Sequence, residues 1–179
     1  MKKVLLFSLL LFAIPVWAYE TIIIKFPDRE LWVKAYYKKS GAEAILQYVP
    51  GGQRSNDWRR SIVVHSYKNQ LPVNILIANN SARLMKVNPT GQFKTLRMTA
   101  NDAIIGRCTN DYKNVEGQCE FFRATRGYEG NVTIHYMNKN KDEFMHDYNQ
   151  WYNIVKRAKL YNSYYRDERT LDKSEYFEL

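Results

Sequence analysis

From residue 21 to residue 68 apolar side chains return at every second position, and a period of two rather than 3.6 commits this part of the chain to β-structure. Ile22, Ile24 and Phe26 share one side of a first strand. Leu31, Val33, Ala35 and Tyr37 then alternate with Trp32, Lys34, Tyr36 and Lys38. Ser40-Gly41 supplies a turn, after which Ala44, Leu46 and Tyr48 oppose Ile45, Gln47 and Val49. Pro50-Gly51-Gly52 ends that strand, and Asn56-Asp57 is expected to open one helical turn at Trp58 before a strand over residues 61–67. The pattern predicts a meander.

Between residues 71 and 87 the period changes. Val73, Leu76, Ile77, Leu84 and Val87 recur at helical spacing, with Pro72 at the start and Pro89 beyond the end. The competing reading makes residues 73–78 a strand that turns at Asn79-Asn80. Four further strands are expected over residues 93–99, 103–108, 118–125 and 132–137, with a hairpin turn over residues 127–131. The last element is read as one long helix over residues 141–161, opened by Asn140 with Glu143 three residues later. Phe144, Tyr148, Trp151, Val155 and Ala158 form its apolar stripe, to be buried on the sheet or on a partner helix. The fold class is therefore α+β: an antiparallel β-sheet packed by a long C-terminal helix and by a second helix in the middle, an α/β sandwich.

The run Gln47-Tyr48-Val49-Pro50-Gly51-Gly52-Gln53, followed by Asp57-Trp58 and the strand residues 61–64, resembles small exported bacterial proteins of the PsbP/Mog1-like shape. It covers about twenty residues. That shape hosts binding and assembly roles without one shared catalytic set, so the resemblance implies a fold rather than an activity.

The N-terminus carries an address. Met1-Lys2-Lys3, an apolar run over residues 4–14 and Pro15-Val16-Trp17-Ala18 follow the order of a secretory signal, with cleavage expected after Ala18. The run is too short to span about 30 Å of hydrocarbon as a helix. Cleavage leaves 161 residues with 25 basic and 18 acidic side chains, a net charge of +7. We read residues 1–18 as signal, 19–161 as one domain and 162–179 as an aromatic, acidic tail. Cys108 and Cys119 are the two cysteines, and in an exported chain they are expected to form a disulfide closing a turn-rich loop. Neither Cys-x-x-Cys spacing nor nearby histidines support a redox or metal pair.

Chemistry is sparsely signalled. Gly-x-Ser-x-Gly, His-Glu-x-x-His and the phosphate-binding glycine loop are all missing from the sequence. His65 and His135 fall on strands and could be neighbours across a sheet, where with a carboxylate they could bind metal or move protons. His146-Asp147 is adjacent on a helix, where consecutive side chains diverge, so it is not read as a dyad. The acidic pairs Asp28 with Glu30 and Asp142 with Glu143 are read as surface or capping groups. Lys34, Lys38, Lys39, Arg54, Arg59 and Arg60 lie among Trp32, Tyr36, Tyr37 and Trp58, and suggest a cationic, aromatic face for an anionic partner. In the C-terminal stretch, Tyr161, Tyr164, Tyr165, Arg166 and Arg169 are residue types that anchor interfaces.

The sequence therefore points to a non-catalytic, exported binding or assembly protein of the bacterial envelope, periplasmic or secreted. Its candidate binding residues are Lys38, Lys39, Trp58, Arg59, Arg60, Tyr165 and Arg166. The expected partner is an envelope protein or an anionic envelope component. Nucleic acid, a bound cofactor, a metal and a membrane span in the mature chain are not expected, and the oligomeric state stays open. The alternative is an envelope hydrolase or lyase of an anionic polymer, with His65 and His135 as acid and base.

Overall fold

The computed structural model describes residues 20–27, 30–127 and 129–162. Among the described residues nine strands and three helices follow one another as β1 (Glu20–Ile23), β2 (Trp32–Ser40), β3 (Glu43–Pro50), β4 (Arg60–Tyr67), α1 (Val73–Val87), β5 (Gln92–Met98), β6 (Asp102–Cys108), β7 (Cys119–Arg126), β8 (Asn131–Asn138), α2 (Lys141–His146), α3 (Tyr148–Arg157) and β9 (Lys159–Asn162). Seven strands make one antiparallel sheet in the order β2-β3-β4-β8-β7-β6-β5. It joins the expected meander β2-β3-β4 to a second one, β5 to β8, through the β4–β8 pair.

Alternation sorts the strands onto two faces. On the first face, Ile104, Arg123, Ile134, Val64 and Leu46 line up across five strands, and Phe121, Tyr136, Ile62 and Tyr48 form the next row. Trp151 of α3 stacks on Tyr136 with ring centroids 3.9 Å apart, and Phe144 of α2 packs on Phe121 at 4.8 Å. Ile22 and Ile24 complete this core from the β1–β9 ribbon. On the second face, α1 seals Ala103, Ile105, Phe122 and Ala124 with Val73, aided by Leu76 and Ile77. The middle helix is thus a helix, not the alternative strand.

The long C-terminal helix is a misreading. Strand structure dominates, and residues 141–157 form two short helices broken at Asp147, whose φ of −96° and ψ of 11° leave helical geometry. The capping reading holds: the Asn140 side chain accepts the Glu143 N–H at 3.0 Å. The buried stripe holds as well, since Phe144, Trp151, Val155 and Ala158 are all buried. Continuity fails, and so does the expected end at residue 161. The chain turns extended at Ala158 and continues as β9 against β1.

A residue remote in sequence helps end α3. Arg123 on β7 donates from Nη1 to the carbonyls of Val155 (2.8 Å) and Ala158 (2.7 Å), which the helix end leaves without partners. Its Nε bonds Asp102 at 2.7 Å, and Asp102 also accepts from Thr125. Two other expectations need adjustment. The first strand pairs with β9 outside the main sheet. Residues 54–57 close a tight turn, with Arg54 and Asp57 bonded to each other through their backbones, rather than a helical turn.

Cys108 and Cys119 are bonded to each other and lie directly opposite on β6 and β7. The expected disulfide is therefore present, joining two strands at the base of the loop it closes. The signal and all but the first residue of the tail lie outside the described residues, as do Tyr165 and Arg166.

Replacing Arg123 by Met should cost about 2–3 kcal/mol of unfolding free energy, because the largely buried Asp102 keeps only Arg97, at 3.3 Å, as a charged partner and the end of α3 loses its donor. Urea denaturation reads this loss, and adding Asp102→Asn should recover part of it. A single-variant loss below about 1 kcal/mol would show that neither Asp102 nor the end of α3 depends on this guanidinium.

Candidate functional site

The structure scatters the cationic, aromatic face expected between residues 32 and 60. Lys38 and Lys39 are successive strand residues, so Lys38 points to the second face and Lys39 to the first. Arg59 and Arg60 lie at the other end of the strands, five residues along β4 from the row that holds Lys38, or about 17 Å at strand rise. Both arginines are engaged. Arg59 bonds Glu143 at 2.5 Å, while Arg60 pairs with Glu30 and Glu143 and sits 5.9 Å from the Trp32 ring centroid. Trp58 lies beneath the Lys139 ammonium at 4.9 Å. Arg59 and Arg60 therefore share Glu143 in one ion-pair network, while Trp58 packs under Lys139, which pairs with Glu116.

The two strand histidines do come together. β4 and β8 register Val63 against His135 and His65 against Thr133, so both imidazoles stand on the second face as diagonal neighbours, about 7–8 Å apart at the backbone. Lys38, Ile45, His65 and Thr133 form one row across four strands. His65 Nε2 lies 3.4 Å from Glu43, without hydrogen-bond geometry, and its ring sits 3.8 Å from that of Tyr67. Burial holds the His65 imidazole below the usual histidine range, and the nearby His135 adds to that, against the opposing pull of Glu43. Burial also raises the Tyr67 hydroxyl.

His135 belongs to a different arrangement. Its Nδ1 lies 3.3 Å from Glu120, which is 2% exposed and bonded to Arg107 at 2.5 Å. Burial opposes ionisation of Glu120, but Arg107 and His135 together hold its carboxyl below the ordinary range. Arg107 in turn donates to Asn80 of α1. The carboxylate beside His135 is thus part of the clamp that fixes the helix. Among the described residues, no three His, Cys, Asp or Glu side chains are placed to hold a metal. His146 and Asp147 meet at 2.7 Å after all, because Asp147 has left the helix, but His146 is 87% exposed.

A surface that the charge pattern of residues 34–60 concealed lies on α1. Its sheet side carries Val73, Leu76, Ile77 and Leu84. Its solvent side is also apolar: Ile75, Ala78, Ala82 and Met85 recur at spacings of three, four and three, and all are exposed, Ile75 by 42% and Met85 by 39%. Gly91 extends this stripe. A Cβ there would stand 3.1 Å from both Met85 Sδ and a Phe93 ring carbon, so glycine lets Met85 and Phe93 close over it toward the edge strand β5. Residues 71–101 contain no Asp or Glu, and they carry Arg83, Lys86, Lys94 and Arg97. That acid-free run was readable as a signal: Arg83 and Lys86 edge the stripe on α1, while Lys94 and Arg97, opposite Gly106 and Ile104, stand on the first face.

No family model, curated protein or solved structure matches the chain. Among the described residues, no helix is long and apolar enough to cross a membrane.

His65 carries a pH dependence whose sign follows from its depressed pKa. The unfolded imidazole takes up a proton near pH 6.5, before the folded one does. Its contribution to stability is therefore complete above pH 6.5 and is lost as pH falls toward the folded value. Urea midpoints measured from pH 8 to pH 5 should fall on acidification, and His65→Gln should flatten the fall. An NMR titration placing His65 above 6.5 would reverse the sign.

Proposed function

We propose that this chain is an exported binding or assembly protein of the bacterial envelope that docks through the solvent side of α1. The observation that carries the reading is that α1 is apolar on both sides and only one side has the sheet to cover it. Exposed contiguous apolar surface rimmed by charge is the usual mark of an interaction site. The rim defines the partner: Arg83 and Lys86, with no acid between residues 71 and 101, suit an apolar protein surface edged with carboxylates. The leader-like first eighteen residues and the Cys108–Cys119 disulfide support the exported address. The PsbP/Mog1-like pattern at residues 47–64 belongs to the same reading.

A photo-crosslinking residue at Ala82 should give a defined adduct in cells, and one at Asn149 should not. Lys86→Glu should remove the adduct. Against the isolated partner, Met85→Lys should weaken affinity by about tenfold, equivalent to about 1.4 kcal/mol, with the urea midpoint unchanged. An Ala82 adduct that survives the charge reversal, or none at all, defeats the docking assignment.

One observation favours the catalytic reading, in which His65 and His135 act on an anionic polymer as acid and base: they share a face beside Lys38 and Glu43. Turnover of an anionic polysaccharide that His65→Asn and His135→Asn each abolish would replace the docking proposal.

A further inference from the structure

On the first face, α2 and α3 pack mainly on β7 and β8, which leaves β6 and the edge strand β5 as a ledge beside the flank of α3. Register sets what stands there. Lys94, Gly106 and Phe121 occupy one row, so a residue without a side chain separates the lysine from the aromatic core, two strand spacings or about 10 Å away. Leu96 leans into the gap, 3.4 Å from where a Gly106 Cβ would stand. The wall is aromatic: Tyr148 and Tyr152, one helical turn apart on α3, meet Phe121 at 4.8 Å and 5.9 Å, and both are half-buried. Lys156, a turn further on, lies 5.6 Å from the centre of the Tyr152 ring.

We propose that this ledge binds a linear acidic polysaccharide, with its sugar rings against Tyr148, Tyr152 and Leu96 and its carboxylates at Lys94 and Lys156. The charge is one-sided. Residues 71–101 and 148–162 contain no Asp or Glu, and neither Lys94 nor Lys156 has a carboxylate partner among the described residues. The acids that adjoin the ledge are engaged, Asp102 by Arg97 and Arg123, and Asp147 by His146. Free cations beside an aromatic wall attract an anion, and a tyrosine offers a sugar both an apolar ring face and a hydroxyl. Burial, with Tyr152 close by, holds the Tyr148 hydroxyl above its usual range, so it stays a hydrogen-bond donor. Two other anionic partners fit less well. An acidic peptide would add to the edge of β5, where the register shift between Thr95 and Arg97 discourages strand pairing. A lipid surface would meet the projecting α3, a layer about 10 Å thick, before it reached Lys94. The inference goes beyond the docking role of α1, which stands on the other face and shares none of these residues.

The test is calorimetric titration of the mature, disulfide-bonded protein with hexagalacturonate, beside the uncharged cellohexaose, polyglutamate and phosphatidylglycerol vesicles. The expected result is saturable binding of hexagalacturonate that weakens as salt is raised. Lys94→Glu and Lys156→Glu, both at exposed positions, should each weaken it by about tenfold with the urea midpoint unchanged. Tyr152→Leu, which keeps an apolar contact with Phe121, should weaken it by roughly threefold. Lys38→Glu and Lys86→Glu, away from the ledge, should leave it within about twofold, so loss of the α1 docking role would not touch this result. The proposal is overturned if hexagalacturonate does not saturate, if cellohexaose or polyglutamate binds as tightly, or if the vesicles bind and the free oligosaccharide does not. It also fails if Lys38→Glu or Lys86→Glu removes binding while both ledge lysine variants keep it.

Discussion

Two arginines on adjacent strands, aimed at opposite faces, tie the three layers to one another. Arg107 on β6 pairs with Glu120, its direct partner on β7, and reaches Asn80 in the helix above. Arg123 on β7 pairs with Asp102 on β6 and takes up the carbonyls at the end of α3 below. Buried pairs of this kind add little over apolar substitutes of the same shape, yet removing one member strands a charge. Their effect here is on register. Sliding β6 against β7 by one residue would send Arg107 and Glu120 to opposite faces and leave both charges in apolar surroundings. The same alignment sets Cys108 opposite Cys119, so a covalent bond and an ion pair on adjacent rows enforce one pairing.

Local periodicity carried much of this architecture. The meander, the middle helix, the four later strands and the stripe from Phe144 to Ala158 were all legible, because each depends on side chains a few residues apart. The break at Asp147 and the end of α3 were not. A run from Asn140 to Tyr161 has helical spacing throughout, and what helps stop α3 is a guanidinium more than thirty residues upstream together with the pairing of β9 to β1. The first strand was misplaced for the same reason, since its partner lies at the far end of the domain.

The candidate sites divide along the same line. His65 and His135 were visible as strand histidines, but their common face depends on the β4–β8 register, which no local pattern reveals. The cationic residues from 34 to 60 looked like a patch because they are close in sequence. In the sheet, alternation separates Lys38 from Lys39, while Glu30 and Glu143 engage the arginines. Helix α1 shows the opposite failure. Its helical spacing was read on Val73, Leu76, Ile77, Leu84 and Val87, and the apolar residues of the other side were passed over, though a helix lying on one sheet can bury only one side. Only Val73 is fully enclosed, so the excess apolar character of Ile75, Ala78, Ala82 and Met85 has no structural explanation inside the domain.

The sheet edges bear on how such a surface would be used. Both edge strands carry a register shift, between Lys34 and Tyr36 on β2 and between Thr95 and Arg97 on β5. They also carry cations: Lys34, Lys38 and Lys39 on one, Lys94 and Arg97 on the other. Irregular pairing and lysine-rich edges discourage strand addition, and a copy of the same chain would meet like charge at either edge. Association through backbone pairing is therefore disfavoured. The apolar side of α1 lies beside β5 but offers side chains rather than unpaired amides, and its cationic rim would repel another copy while attracting an acidic surface. The docking proposed for this helix face therefore calls for a different protein rather than a second copy of the chain.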